Sequence, residues 1–190
     1  MHMTKFKSPY IAFSAPSGAG KTTIVKNLAE KYPHELVISV SATTRARRPQ
    51  EKEGVDYYFL SKQEFEEAIA QGKFLEYEEV HGNYYGTLIE TVETHRKQGK
   101  TVLFDIDVKG AMSVRRYYPQ ALLIFIKPPS DEELVRRLKD RRSEDEATIQ
   151  RRLQRLKFEY EQAERFDHIV INDQLEETIA EVERLIIKTD

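Results

Sequence analysis

The sequence predicts an α/β fold: a doubly wound, five-stranded parallel sheet covered by helices on both faces. Two features carry that expectation. Five short apolar runs alternate with helix-period segments, the pattern of strands buried on both sides. One polar, tyrosine-rich stretch, about residues 42–87, breaks the alternation and reads as an inserted lobe. The length of 190 residues suits one domain carrying an insertion.

The first strand is Tyr10-Ile11-Ala12-Phe13-Ser14, bounded by Pro9 and the Pro16-Ser17-Gly18 cluster. A helix follows from about Lys21 to Lys31, with Ile24, Val25 and Leu28 facing inward. Leu36–Val40 gives a second strand. Inside the insertion, Ser61-Lys62-Gln63-Glu64 is a capping box that opens a helix ending near Gly72. Short β runs around Tyr57–Phe59 and Phe74–Tyr77 flank it. The alternation resumes with a helix from Leu88 to Gly99, the strand Thr101–Asp105 and a helix near Val108–Tyr117. Next come the strand Leu122–Ile126 and a helix started by the Ser130-Asp131-Glu132-Glu133 box. Ile149, Leu153, Leu156, Tyr160 and Ala163 recur at spacings of three and four, predicting a long amphipathic helix. The strand His168–Ile171 and a helix with Leu175, Ile179, Val182 and Ile186 close the chain.

Composition excludes several classes. Thirty basic and 32 acidic residues leave a formal net charge of −2, which argues against a general nucleic-acid or polybasic membrane binder. No apolar run is long enough to span a bilayer, and no signal-peptide pattern opens the chain. With no cysteine there is no disulfide framework, thiolate metal site or thiol nucleophile, and the five histidines lack ligand spacing. These features point to a cytoplasmic protein. Nothing in them addresses oligomeric state.

Chemistry enters at Ala15-Pro16-Ser17-Gly18-Ala19-Gly20-Lys21-Thr22-Thr23, between the first strand and the first helix. It matches the phosphate-loop pattern G-x-x-x-x-G-K-[ST] except at its first position, where Ala15 replaces glycine. Small residues let backbone N–H groups wrap a phosphate, and the helix N-terminus adds a favourable dipole. Lys21 is expected at the β/γ-phosphates of a bound nucleotide and Thr22 on Mg²⁺. Asp105 ends an apolar strand, the setting of a carboxylate that holds the Mg²⁺ shell through water, and Asp107 lies two residues on.

The insertion identifies the acceptor. Ser39-Val40-Ser41-Ala42-Thr43-Thr44-Arg45-Ala46-Arg47-Arg48-Pro49 precedes Gly54-Val55-Asp56-Tyr57-Tyr58-Phe59, Phe74-Leu75-Glu76 and Gly82-Asn83-Tyr84-Tyr85-Gly86-Thr87. With Asp105-Ile106-Asp107-Val108-Lys109-Gly110 and Pro128-Pro129-Ser130, these motifs resemble the guanylate kinase family in order and spacing. The resemblance runs from about Tyr10 to the final helix. It implies transfer of the ATP γ-phosphoryl group to GMP, and also to dGMP, within a single domain. That domain would comprise a core (about 9–41, 88–135 and 165–190), a monophosphate lobe (about 42–87) and a lid (about 136–164). By motif match, Arg45, Arg48, Tyr57 and Tyr85 would hold the GMP phosphate. Ser41, Glu76, Thr87 and Asp107, with Asp105 close by, would meet the guanine end. Asn172 would lie near the adenine, and Arg137, Arg141 and Arg152 would be lid arginines that neutralise the transferring phosphoryl.

The residues themselves suit those roles. Guanidinium forks and phenols fit a dianionic phosphate. One carboxylate can accept both guanine donors, N1–H and the 2-amino group, whereas adenine would leave a buried Glu76 unpaired. In isolation each feature has a plainer reading: a solvated basic patch, strand-packing tyrosines, an exposed glutamate, acids capping the next helix. Two other functions share part of the pattern, a non-catalytic guanylate-kinase-like binding module and a kinase for a different phosphorylated acceptor. Intact Lys21 and Thr22 favour an enzyme over the module, and Glu76 with Ser41 and Thr87 favours guanine.

Overall fold

A computed structural model describes residues 5–140 and 145–189. In chain order the core elements begin with β1 (Tyr10–Ser14), α1 (Lys21–Lys31) and β2 (Leu36–Ile38). The lobe follows: β3 (Ala42–Thr43), β4 (Tyr58–Phe59), α2 (Lys62–Ala70), β5 (Phe74–Val80) and β6 (Asn83–Leu88). Then come α3 (Ile89–Lys97), β7 (Thr101–Asp105), α4 (Val108–Tyr117), β8 (Leu122–Lys127) and α5 (Asp131–Asp140). The chain ends with α6 (Glu146–Ala163), β9 (His168–Ile171) and α7 (Leu175–Ile186). Among the described residues no helix is long and apolar enough to cross a membrane.

The main sheet is parallel, in the order β2-β7-β1-β8-β9. Alternate residues of the central strands β1, β7 and β8 feed two separate cores. Ile11, Phe13, Leu103, Ile124 and Ile126 meet α1 and α7 through Leu28 and Val182. Ala12, Val102, Phe104, Leu123 and Phe125 meet α3 and α4 through Val92 and Val114. That division is why these strands read as continuous apolar runs. From β1 the chain crosses outward to β2, and from β7 it passes to β8 on the other side of β1. The crevice beyond the carboxyl ends of β1 and β7 is therefore a topological switch point, where open α/β sheets bind ligands.

The lobe is a second, mixed sheet in the order β4-β3-β6-β5, with α2 on one face. Ser61 caps α2 with both halves of the expected box formed. Phe65 of α2 stacks on Phe74 and Tyr84, with ring centroids 4.2 and 5.1 Å apart. Leu75 leaves the lobe to join the core cluster that holds Val92 and Val108, and so roots the insertion in the main domain.

Three details differ from the sequence reading. The second strand stops at Ile38 rather than Val40, although the Ser39 N–H still donates to Leu103 O (2.8 Å). Strands β3 and β6 were not anticipated, and β5 runs on to Val80. Val80 pairs with Asn83 across a two-residue turn in which His81 and Gly82 both have positive φ (50° and 80°). Such a turn matches the twist of a hairpin, and the His-Gly pair hid it because Asn-Gly is the familiar signal.

Candidate active site

The loop after β1 wraps the N-terminus of α1. Positive φ falls on Gly18 (84°) and Gly20 (88°), not on Ala15. Alanine in place of the first glycine of the pattern is therefore accommodated without strain. A Cβ on Gly20 would lie 2.5 Å from Asn172 Nδ2, so only glycine fits there. Asn172 Nδ2 donates to Ala19 O (2.8 Å), and its Oδ1 accepts from Thr178 Oγ1 (2.9 Å). Asn172 thus ties the back of the phosphate loop to α7.

Lys21 Nζ lies 2.8 Å from Asp105 Oδ1 and donates to Ile106 O at 3.3 Å. Thr22 Oγ1 donates to the other carboxylate oxygen, Asp105 Oδ2, at 2.7 Å. The last residue of β7 and the first turn of α1 therefore form one cluster of a cation, a hydroxyl and a carboxylate. It opens into a cleft of about 630 Å³ lined by residues 15–23 together with Asp107, Leu134, Arg152, Arg155, Leu156 and Glu159. Asp107 also caps α4, its Oδ1 accepting from the Gly110 N–H (2.7 Å).

The residues that the motif match assigns to the acceptor are aligned by sheet register. Glu76 pairs with Thr87, and the antiparallel register that pairs Ala42 with Gly86 sets Ser41 opposite Thr87. Cross-strand partners share a face, so Ser41, Thr87 and Glu76 form one row. The adjacent row on that face is Thr43, Tyr85 and Glu78. A β-bulge between Phe74 and Glu76 sets the phase. Phe74 and Tyr77 both lie against Phe65, while Glu76 keeps the opposite face. Gly86 permits this, because a Cβ there would stand 2.8 Å from Glu76 O and from the Phe74 ring.

Thr87 Oγ1 donates to Glu76 Oε1 at 2.8 Å. Burial pushes the Glu76 carboxyl up to about 7, with the charges of Asp107 and Glu78 adding and the Thr87 hydrogen bond opposing. Beyond it, Arg45 makes a bidentate pair with Glu51 at 2.6 and 3.1 Å. The Arg45 guanidinium also lies over the Tyr57 ring, 5.4 Å from its centroid, and Tyr57 packs edge-on against Tyr85. Glu51 Oε2 further accepts the Arg48 N–H (2.8 Å), so one carboxylate orders both arginine positions; the Arg48 residue itself is exposed. Hydrogen bonding to Arg45 holds the Glu51 carboxyl below its usual range.

Of the arginines expected in a lid, Arg152 lines the phosphate-loop cleft. Arg137 belongs to α5, but its side chain lies outside the described residues, as does the whole of Arg141. Sequence reasoning missed four residues here: Glu51, Glu78, Arg155 and Glu159. Glu159 is buried, and its Oε1 accepts from Arg155 Nε (3.1 Å). Burial raises its carboxyl above the ordinary range, against the pull of Arg155. The signal was present, since Glu159 stands three residues after Leu156 and four before Ala163, inside the apolar stripe.

The guanylate kinase family profile matches residues 7–189. A guanylate kinase from Chlorobium chlorochromatii (strain CaD3) is 50% identical over 178 residues, covering 93% of this chain and 93% of that protein. One from Rickettsia bellii (strain RML369-C) is 44% identical over 186 residues, covering 98% and 97%. The crystal structure of guanylate kinase from Anaplasma phagocytophilum superposes with a TM-score of 0.70 at 33% identity, covering 96% of this chain and 86% of that one.

Proposed function

The chain belongs to the guanylate kinase family, and from that premise we propose how its own residues move the γ-phosphoryl group of ATP to GMP. The activity is ATP:GMP phosphotransfer, giving ADP and GDP. The observation that carries our reading is the position of Asp107. It lines the phosphate-loop cleft and its charge raises Glu76, so donor and acceptor sites share one edge.

The loop N–H groups and the N-terminus of α1 take the ATP phosphates, with Lys21 at the β/γ-bridge. Thr22 and Asp105 offer hard oxygens 2.7 Å apart, a donor set suited to Mg²⁺, which keeps most of its waters and takes one or two protein ligands. Thr22 would hold Mg²⁺ directly and Asp105 through water. When bound, the ion would supply charge neutralisation to the nucleotide phosphates.

GMP lies along the two rows of the lobe sheet. Ionised Glu76 accepts guanine N1–H and the 2-amino group, flanked by Ser41, Thr87 and Asp107. Arg45, Arg48, Tyr57 and Tyr85 hold its phosphate. An oxygen of that phosphate attacks Pγ as the bond from Pγ to the β-bridging oxygen breaks. Protein chemistry is confined to alignment and charge, supplied by Lys21, Arg152 and the lid positions 137 and 141. Closure of the lid (about 136–164) over the lobe and core excludes water, which would otherwise take the phosphoryl group. Since the base contacts spare the 2′-hydroxyl, dGMP serves as well. The substrates and the charge balance fit a cytoplasmic enzyme of purine nucleotide metabolism with no nucleic-acid or membrane partner.

A coupled ADP-release assay over GMP, dGMP, AMP, CMP and UMP tests this reading. Turnover is expected with GMP and dGMP only. A folded sample that consumes no GMP with ATP and Mg²⁺ would overturn it.

A further inference from the structure

The acceptor lobe and α6 meet at a second cleft of about 210 Å³, bordered by Glu78 of β5, Lys109 of α4, and Arg155, Phe158 and Glu159 of α6. Arg155 borders this cleft and the phosphate-loop cleft alike, whereas Arg152, one turn earlier, borders only the latter. Arg155 is therefore the guanidinium at the seam between the donor and acceptor halves. Its side chain is 68% exposed, while the Glu159 side chain that anchors its Nε is 9% exposed. Among the described residues that anchor is its one hydrogen bond, made through one of five N–H donors. Across the cleft, Glu78 makes no side-chain hydrogen bond among the described residues. Its charged neighbours there are Arg155 and Lys109, which attract it, and Asp107, which repels it. The Lys109 ammonium already lies 5.7 Å from the Phe158 ring centroid, so α4 and α6 are in contact beside the pair.

We propose that Arg155 is a positioning residue for phosphoryl transfer: its Nη groups engage Glu78 when α6 closes, while Nε stays on Glu159, tying the lid to the acceptor lobe. The anchor makes this efficient. A guanidinium already oriented by a buried carboxylate loses little rotamer freedom in making a second pair, unlike a free surface arginine. The fork geometry matters too, because a lysine ammonium at this position would not hold two carboxylates on opposite sides. The inference rests on lobe and lid closing over both nucleotides, as in the reading above.

A double-mutant cycle with Glu78→Gln and Arg155→Gln tests it in the full chain. Each single variant should lower kcat/KM for GMP by about two- to fivefold, the range for one partly exposed ion pair. The double variant should lose no more than the worse single one. The cost of leaving Glu159 without its partner appears in both backgrounds and cancels. Calorimetric GMP affinity without ATP should change less than twofold, because the tie forms only on closure. Losses that multiply would overturn the proposal, as would unchanged kinetics in either single variant. A hundredfold loss in Arg155→Gln independent of Glu78 would instead make Arg155 a phosphate ligand. If Arg155→Gln does not fold, Arg155→Lys keeps charge beside Glu159 and runs the same cycle. Absence of GMP turnover in the unmodified protein would sink the underlying reading rather than this one.

Discussion

Glu76→Gln should weaken catalysis and strengthen the fold, and the two effects have separate origins. In the unliganded site Glu76 accepts a hydrogen bond from Thr87, and burial holds its carboxyl near 7. Guanine N1–H and the 2-amino group are the donors the ionised form lacks. Glutamine keeps the shape but turns an NH₂ toward one of those donors. A lost charge-assisted hydrogen bond costs roughly 1.5–3 kcal/mol, and the opposed donors add to it. The expected fall in kcat/KM for GMP is on the order of tenfold to several hundredfold. Stability moves the other way. The carboxyl value is raised on folding, from an ordinary 4.5 to about 7. Its contribution to stability is therefore complete below pH 4.5 and is lost as pH rises through 7. That interval corresponds to at most roughly 3 kcal/mol. Glutamine does not titrate, so the variant should be the more stable protein at pH 8, and the gap should close at pH 4. Denaturant melts at both values measure this. GMP affinity of the unmodified protein should also fall below pH 7 faster than that of the variant, the titration of GMP's own phosphate being common to both. Wild-type GMP kinetics in Glu76→Gln, or a stability difference constant with pH, would refute the reasoning.

Two further substitutions separate the halves of the site. Lys21→Ala should cut turnover by about a hundredfold or more, since it removes the cation at the phosphate loop, yet leave calorimetric GMP affinity within about threefold; lost GMP affinity with unchanged kcat would contradict that division. Glu51→Gln releases the bidentate grip on Arg45 and the bond from the Arg48 N–H, so KM for GMP should rise by about three- to tenfold with kcat nearly unchanged. Steady-state kinetics showing the reverse split would remove Glu51 from the acceptor site.

The main sheet was readable because its central strands β1, β7 and β8 are buried on both faces, which writes itself into the sequence as apolar runs. The lobe sheet was readable only in part: short runs marked β4 and the start of β5, but not β3 or β6. The row of Ser41, Thr87 and Glu76 is polar, and β3 is two residues long, so neither apolarity nor length announced those strands. The bulge before Glu76 also breaks the period-two pattern by which a strand is recognised. Motif residues near the phosphate loop were legible one by one, because Lys21 and Thr22 stand in a fixed local frame. Residues that act through a partner were harder. Glu51 matters for what it does to Arg45, six positions earlier, and Arg155 gains meaning only when α6 is set beside β5. Asn172 was singled out by its motif for a place near adenine, and its contacts in the structure tie Ala19 of the phosphate loop to Thr178 of α7.

Asp107 connects these observations into one electrostatic argument. Its charge raises the carboxyls of Glu76 on β5, Glu78 on the same strand and Glu159 on α6, each already raised first by burial. Four acids from the lobe sheet, α4 and α6 thus converge beside the phosphate-loop cleft, a region a phosphate-transferring enzyme would be expected to keep positive. Asp107 takes the Gly110 N–H and Glu159 takes Arg155, whereas Glu76 would take the guanine donors and Glu78 the guanidinium of Arg155 under the reading proposed above. In the structure the repulsion among them is only partly offset by Arg155 and Lys109. Under the proposed mechanism, binding the correct base would satisfy Glu76 and closure would satisfy Glu78, so both would relieve that repulsion. A base lacking the paired donors would relieve none of it at Glu76, and the buried charge would oppose closure over the wrong substrate. Specificity and lid closure are then coupled through the same carboxylates, and the coupling should weaken in Glu76→Gln.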